Sequence, residues 1–295
     1  MVDAPGPVPK GSGPGRVPSP AEVGMSIETG EPDVAERAGA PCIARERIRA
    51  RRGLVLEPGD ALFLDFDGTL VDIAATPEAI RVPADLSGLL AQVQNALDGA
   101  LCVLTGRPVA DLDDHLAPFR ATIAGVHGGE IRLLPSAVVY QTIDPIEPAV
   151  IARLERAVVD LAGVRIEPKG LSVAVHWREA PHALGVLEAR LQALLARQAE
   201  QLMLLRGRRV FEILPRGVSK GGALADFAAH PPFVGRRPVM IGDDVSDESA
   251  FAAAERVGGG ALRVAGEHFA PGLADFTGPD EVRAWLTDFL RRTRR

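Results

Sequence analysis

Along most of the chain a short, unbroken apolar run ends in a polar break and is followed by a longer segment of helical spacing. The short runs are Ala61 to Leu64, Ala100 to Leu104, Thr122 to Val126, Pro238 to Ile241 and Leu262 to Val264. A strand covered on both faces loses the in–out alternation of a half-exposed strand, so these runs predict buried parallel strands. Between them, Leu86 to Leu97, Val109 to Phe119, Ser219 to Ala229, Asp247 to Glu255 and Pro279 to Leu290 repeat apolar residues every three or four positions. That spacing predicts helices with one face laid on a sheet.

The rhythm changes in the middle of the chain. Pro148 to Leu161 and Pro181 to Ala199 predict helices. Val164 to Glu167 and Leu171 to Trp177 predict strands around a Pro-Lys-Gly turn, and Leu202 to Leu205 and Arg209 to Leu214 predict a hairpin around Arg206-Gly207-Arg208. Helix, two strands, helix, two strands suits two helices on one face of an antiparallel sheet. The expected fold class is therefore α/β: a doubly wound, mainly parallel sheet interrupted by an α+β insert. The expected segments are core 58–134, insert 135–213 and core 214–295. Residues 1–57 are expected to form a weakly structured N-terminal tail, rich in Pro, Gly and Ser up to about Gly30, with a short basic helix between Val34 and Arg52. Pro58-Gly59 marks the entry to the folded body.

Composition narrows the class without changing this picture. Of 295 residues only 4% are aromatic, so the core is aliphatic. A net charge of −6 gives no reason to expect affinity for nucleic acid or anionic membranes. Arg291, Arg292, Arg294 and Arg295 suit the C-terminal end of a helix dipole. Two cysteines, Cys42 and Cys102, make neither a disulfide framework nor a thiolate metal site. No apolar stretch reaches the roughly 18 residues a membrane helix needs, and the N-terminus has no signal-peptide core, so the cytoplasm is the expected compartment. Gly258-Gly259-Gly260 lacks the strand–GxGxxG–helix setting of a nucleotide loop and reads as a plain turn.

The chemistry is expected where the strands end. Asp65 and Asp67, Thr105, and Asp243 with Asp244 and Asp247 lie just beyond three predicted core strands. In open parallel sheets the ligand crevice lies beyond those carboxyl ends, so residues far apart in sequence converge there. Two carboxylates about 4 Å apart repel by about 4 kcal/mol at an effective dielectric of 20. Such a cluster calls for a hard, oxygen-seeking cation, and Mg²⁺ suits it. In extended backbone Asp65 and Asp67 face the same way, so one can attack phosphorus while the other handles the leaving-group proton. Gly68 permits a sharp turn beside a phosphate, and Thr69 can bond into that turn. The Thr105 hydroxyl and Gly106 N–H can reach phosphate oxygens. Lys220, opening a helix after Ser219, can bring a fixed positive charge.

Asp65-Phe66-Asp67-Gly68-Thr69-Leu70, Thr105-Gly106-Arg107, Lys220 and Gly242-Asp243-Asp244-Val245-Ser246-Asp247 resemble the four motifs of the haloacid dehalogenase superfamily. The resemblance runs from about Leu62 onward and implies that superfamily's core with the insert as its cap. It implies Asp65 as nucleophile and Asp67 as general acid, then base. Thr105 and Lys220 would hold the phosphoryl group; Asp65, the Asp67 backbone carbonyl and Asp243 would hold Mg²⁺, supported by Asp244 and Asp247. Three further stretches resemble the trehalose-6-phosphate phosphatase family within that superfamily: Gly125 to Glu130, Lys169 to Ser172 leading to His176-Trp177-Arg178, and Phe211 to Pro215 followed by Gly217 to Gly221. This implies Mg²⁺-dependent hydrolysis of trehalose 6-phosphate through an aspartyl phosphate. It implies substrate contacts from Gly68, Gly106, Arg107, His127, Glu130, Lys169, Ser172, His176, Arg178 and Glu212. The family often has Ser where Thr105 stands and Asp or Asn where Ser219 stands; both exchanges keep the needed oxygen. A neighbouring reading changes only the substrate, to sucrose 6-phosphate, mannosylglycerate phosphate or glucosylglycerol phosphate. A reading of another class is a non-catalytic partner of a trehalose-phosphate synthase. The sequence does not indicate an oligomeric state.

Overall fold

The computed structural model describes residues 53–74, 79–207 and 209–294. The expected basic helix before residue 53, and Cys42, lie outside the described residues. Among those described, strand β1 (Ala61–Leu64) stands inside a seven-stranded sheet. β2 (Leu101–Leu104) and β3 (Thr122–Gly125) follow on one side, reached through helices α1 (Leu86–Ala96) and α2 (Val109–Leu116). β4 (Glu130–Arg132) and β5 (Tyr140–Gln141) complete that edge as antiparallel strands.

The chain then leaves the sheet. Helix α3 (Pro148–Val158), β6 (Arg165–Pro168), β7 (Val173–His176), α4 (Leu184–Leu195), β8 (Leu202–Gly207) and β9 (Val210–Pro215) build a separate antiparallel sheet in the order β6-β7-β9-β8. It returns through α5 (Lys220–Ala228), β10 (Pro238–Gly242), α6 (Glu248–Arg256), β11 (Gly260–Arg263) and α7 (Pro279–Thr293). β10 pairs with β1 on the side away from β2, and β11 lies beyond it, giving the order β11-β10-β1-β2-β3-β4-β5. All pairs from β11 to β3 are parallel. The direction of winding reverses at β1, and an open α/β sheet forms its ligand crevice at such a reversal.

Each sheet has its own apolar cluster. Around the large sheet, β1, β2 and β10 are buried on both faces, as their unbroken apolar runs predict. In the insert, Val150, Leu154, Leu187 and Leu191 of the two helices meet Val173, Val175, Phe211 and Ile213 of one sheet face. The other sheet face carries Glu212 and His176 at one end and Met203, Leu205 and buried Leu214 at the other, the latter packed with Val126 and Val218.

Four details differ from the sequence reading. Helix α2 stops at Leu116, because Ala117 precedes Pro118 and is held extended at ψ 136°. β4 and β5 had no apolar signature; Arg132 is nearly fully buried there, its guanidinium on Asp113 at 2.5 and 2.7 Å and on the Ala121 carbonyl. The large sheet consequently runs on to Gln141, past residue 134, and the insert sheet to Pro215, past residue 213. Leu56 is fully buried and Leu54 packs on the same core, so the folded body begins a few residues before Pro58.

Candidate active site

The reversal at β1 brings two acidic turns together. Leu64 of β1 lies beside Ile241 of β10, and the Asp65 N–H donates to the Ile241 carbonyl at 2.9 Å. Asp65 and Asp243 thus leave the sheet side by side. After Asp67 the chain turns sharply, with Gly68 at φ 87° and Leu70 and Val71 N–H both donating to the Phe66 carbonyl. A Cβ on Gly68 would overlap the Asp243 carboxylate, so both the conformation and the close approach require glycine. Thr69 Oγ1 is 3.5 Å from Asp243 Oδ1.

Lys220 reaches this point from the first turn of α5, whose N-cap Ser219 accepts from the Gly222 N–H at 3.0 Å. Its Nζ donates to Asp65 Oδ1 and Asp247 Oδ1, both at 2.7 Å. Asp247 also accepts from the Asp243 and Asp244 N–H groups through Oδ2 at 3.0 Å, and is wholly buried. Asp247, expected as a supporting residue, is therefore part of the central cluster. Carboxylate oxygens of Asp65, Asp243 and Asp247 lie within 4.8 Å of one another.

The electrostatics follow. Burial pushes the Asp65 carboxyl up to about 7; Lys220 opposes the shift and Asp247 adds to it. Burial, with Asp65 and Asp247 close by, pushes Asp243 up to about 10. Burial works against the Lys220 ammonium, but Asp247 and Asp65 hold its pKa above the ordinary lysine value. One ammonium cannot balance three buried carboxylates. Oxygen-only donors, their separation and the uncompensated charge together fit a hard divalent cation.

Asp67 has a different partner. Its carboxylate takes a bidentate fork from Arg107, Nε to Oδ2 at 2.6 Å and Nη2 to Oδ1 at 2.8 Å, while Arg107 Nη1 donates to Asp111 at 2.6 Å. Arg107 lies over the Phe66 ring. Burial works against the guanidinium, but Asp67 and Asp111 hold its pKa above the ordinary arginine value. The Asp67 carboxylate thus stands apart from the three-carboxylate cluster. The Thr105 hydroxyl is buried and accepts from the Arg107 N–H at 3.1 Å; Gly106 and Arg107 reach the cavity surface.

That cavity, about 220 Å³, opens between the large sheet and the face of the insert sheet that carries Glu212 and His176. Asp65, Asp67, Lys220 and Asp243 form its floor, and Lys169, His176, Arg178 and Glu212 its roof. Glu212 Oε1 accepts from Lys169 Nζ at 3.0 Å, and Oε2 meets His127 Nε2 at 2.5 Å. Burial alone would raise the Glu212 carboxyl, yet Lys169 and His127 hold it well below the usual range. Arg178 Nη1 donates to the Ala74 carbonyl.

Three expected substrate contacts do not line the cavity, and Gly68, in the turn after Asp67, is one of them. Glu130 accepts from the Val109 N–H at 2.7 Å, capping α2 by side chain. Ser172 is wholly buried and does not line the cavity. Conversely, sequence reasoning missed Glu167 and Arg209, which do line it. Glu167 Oε2 meets His176 Nε2 at 2.7 Å, a bond that lowers the Glu167 pKa. The available signal was strand alternation: Glu167 lies two residues from Lys169 and, across Ala174, in line with Glu212.

Known proteins are similar to this chain in sequence and in fold. Residues 63–268 match the trehalose-phosphatase family model. A probable trehalose-phosphate phosphatase of Sinorhizobium fredii is 41% identical over 205 residues, 69% of this chain and 77% of that protein. The trehalose-6-phosphate phosphatase of Escherichia coli K12 is 36% identical over 230 residues, 77% of this chain and 85% of that protein. Among solved structures, the C-terminal domain of the C. albicans trehalose-6-phosphate phosphatase superposes with a TM-score of 0.68 at 19% identity, covering 87% of this chain and 99% of that one. The fold is that of the haloacid dehalogenase-like hydrolases.

Proposed function

The chain belongs to the trehalose-phosphatase family, and on that premise we propose that it hydrolyses trehalose 6-phosphate to trehalose and inorganic phosphate through an aspartyl phosphate on Asp65. Asp65 attacks phosphorus and the bond from phosphorus to the sugar oxygen breaks. Once its fork with Arg107 opens and it takes up a proton from solvent, Asp67 gives that proton to the departing oxygen. In the second half Asp67 takes a proton from water, whose oxygen attacks phosphorus and returns Asp65 as a free carboxylate. Lys220 donates to Asp65, and Gly106, at the cavity surface beside buried Thr105, would receive phosphoryl oxygens. Asp65, Asp243 and the Asp67 backbone carbonyl would hold Mg²⁺, which when bound offsets the charge of a phosphate dianion set among carboxylates. Asp244, partly buried beside Asp247, supports that turn. On the insert, Lys169, His176, Arg178 and Glu212 offer the mixed donors and acceptors that sugar hydroxyls need.

The observation that carries this reading is the gathering of residues 65, 220, 243 and 247 in one buried knot at the floor of a two-sided cavity. A non-catalytic partner of a synthase has no need of that arrangement. The test is phosphate release from trehalose 6-phosphate beside sucrose 6-phosphate and mannosylglycerate phosphate, with and without EDTA. Preferential release from the trehalose ester, lost in EDTA and in Asp65→Asn, is the expected result. A folded Asp65→Asn protein with full turnover would overturn the nucleophile. Among the described residues no helix is long and apolar enough to cross a membrane.

A further inference from the structure

Two consecutive residues after β3 hold backbone conformations that residues with side chains rarely adopt. Val126 has φ 48° and His127 φ 56°. For a β-branched residue this is a true outlier, and such strain persists only where the surroundings fix it. Here the surroundings are the Thr105–Arg107 loop on the backbone side and a buried apolar cluster with Leu171, Leu214 and Val218 on the Val126 side chain. The Val126 N–H donates to the Arg107 carbonyl at 3.0 Å, and the His127 N–H to the Thr105 carbonyl at 2.9 Å. A Cβ on Gly125 would stand 2.9 Å from the Arg107 carbonyl oxygen, so the two segments lie zipped together.

This strained turn lays the His127 ring on Gly106, where a Cβ would come within 2.7 Å of Nε2. The same nitrogen meets Glu212 Oε2 of the insert at 2.5 Å. His127 and Glu212 are only 5% and 7% exposed. Other polar contacts between insert and core lie nearer the rim: Arg178 on the Ala74 carbonyl, and Arg209 Nε 3.7 Å from Glu267.

From this geometry we infer that His127 and Glu212 form a docking contact through which the seated insert fixes the Thr105–Gly106 loop. His127 is then a positioning residue for the phosphate-binding backbone, beyond any part it has in the sugar pocket. With the insert seated, Glu212 pins the ring and the ring pins Gly106. With the insert lifted, the ring loses its partner and the loop loosens. The loop is ready for a phosphate only when the roof is in place. The inference rests on the proposed function only in naming phosphate as what the loop receives.

The test is backbone hydrogen–deuterium exchange of the 105–107 segment in the substrate-free, full-length protein. His127→Ala and Glu212→Ala are each expected to speed exchange by a similar factor, and the double variant no further. Arg190→Ala, which breaks an exposed pair with Asp160 within the insert and touches neither Glu212 nor the cavity, is expected to leave exchange unchanged. Turnover of p-nitrophenyl phosphate, which has no sugar, falls by about tenfold or more in both single variants, the size of loss that misplaced reacting groups cause. Unchanged exchange and unchanged p-nitrophenyl phosphate turnover in Glu212→Ala, with only the KM for the sugar phosphate raised, would overturn the inference. So would equal loosening in Arg190→Ala. Should His127→Ala not fold, Glu212→Ala decides alone, from the far side of the contact. If the protein released no phosphate from any ester, the exchange result would still decide this point, separately from the proposed function.

Discussion

Lys220 occupies a hostile place for a cation: nearly fully buried, in the first turn of a helix, where the backbone dipole is already positive. It remains charged because Asp65 and Asp247 each lie 2.7 Å away. Removing either carboxylate would leave a buried charge short of a partner, which is far more costly than losing a surface ion pair. Glu212 is the same case with the sign reversed. Its carboxylate is buried and held ionised by Lys169 and His127. A folded-state pKa below the unfolded one contributes stability that is present above the ordinary glutamate value of 4.5 and is lost as pH falls through the folded value. Glu212→Gln is therefore expected to destabilise the protein at pH 7 and to approach wild type below about pH 4. Urea midpoints of the two proteins across that range check this; a gap that widens on acidification contradicts it.

Helices α5 and α6 show how an element can depend on one missing atom. A Cβ on Gly221 would run into the Ser249 carbonyl of α6. Gly221→Ala is expected to force the helices apart at a cost of about 1–3 kcal/mol, as over-packing does. Because Lys220 is the preceding residue, turnover should fall with stability; urea titration and phosphate release measure the two effects. Wild-type turnover at reduced stability would show that the lysine tolerates the shift. The elements differ in how plainly they are written in the sequence. β1, β2 and β10 are buried on both faces, so their apolar runs announce them. β4 and β5 are two or three residues long and rely on Arg132 finding Asp113 and a distant carbonyl, which no periodicity records. Asp65, Thr105, Lys220 and Asp243 were legible because strand ends and a helix start place them at one edge. The fork of Arg107 on Asp67, the use of Glu130 as a cap and the central place of Asp247 arise from contacts between segments far apart, and local pattern is silent on those.

The molecule as a whole sets a surplus of negative charge at the meeting of two sheets. Asp243, pushed up to about 10 by burial and its acidic neighbours, marks where that surplus is least tolerable. Mg²⁺ is expected to raise the melting temperature relative to EDTA. The gain should approach about 2.7 kcal/mol at a hundredfold excess over its Kd, since a ligand of the native state stabilises it by mass action. Asp243→Asn should melt no lower than wild type in EDTA and gain nothing from Mg²⁺. A metal response equal to that of wild type would move the ion elsewhere. The insert interrupts the large sheet between β5 and β10, so Asp65 and the lysine that balances it stand 155 residues apart in the chain. During synthesis on the ribosome Asp65 emerges first. It waits through the whole of the insert before its counter-charge and its neighbouring strand arrive. A nascent chain halted anywhere before Lys220 exposes the β1 edge that β10 later covers, and such an unpaired edge invites other chains to pair with it. The buried ion-pair knot and the cover of the β1 edge are thus completed by the same late-made segment.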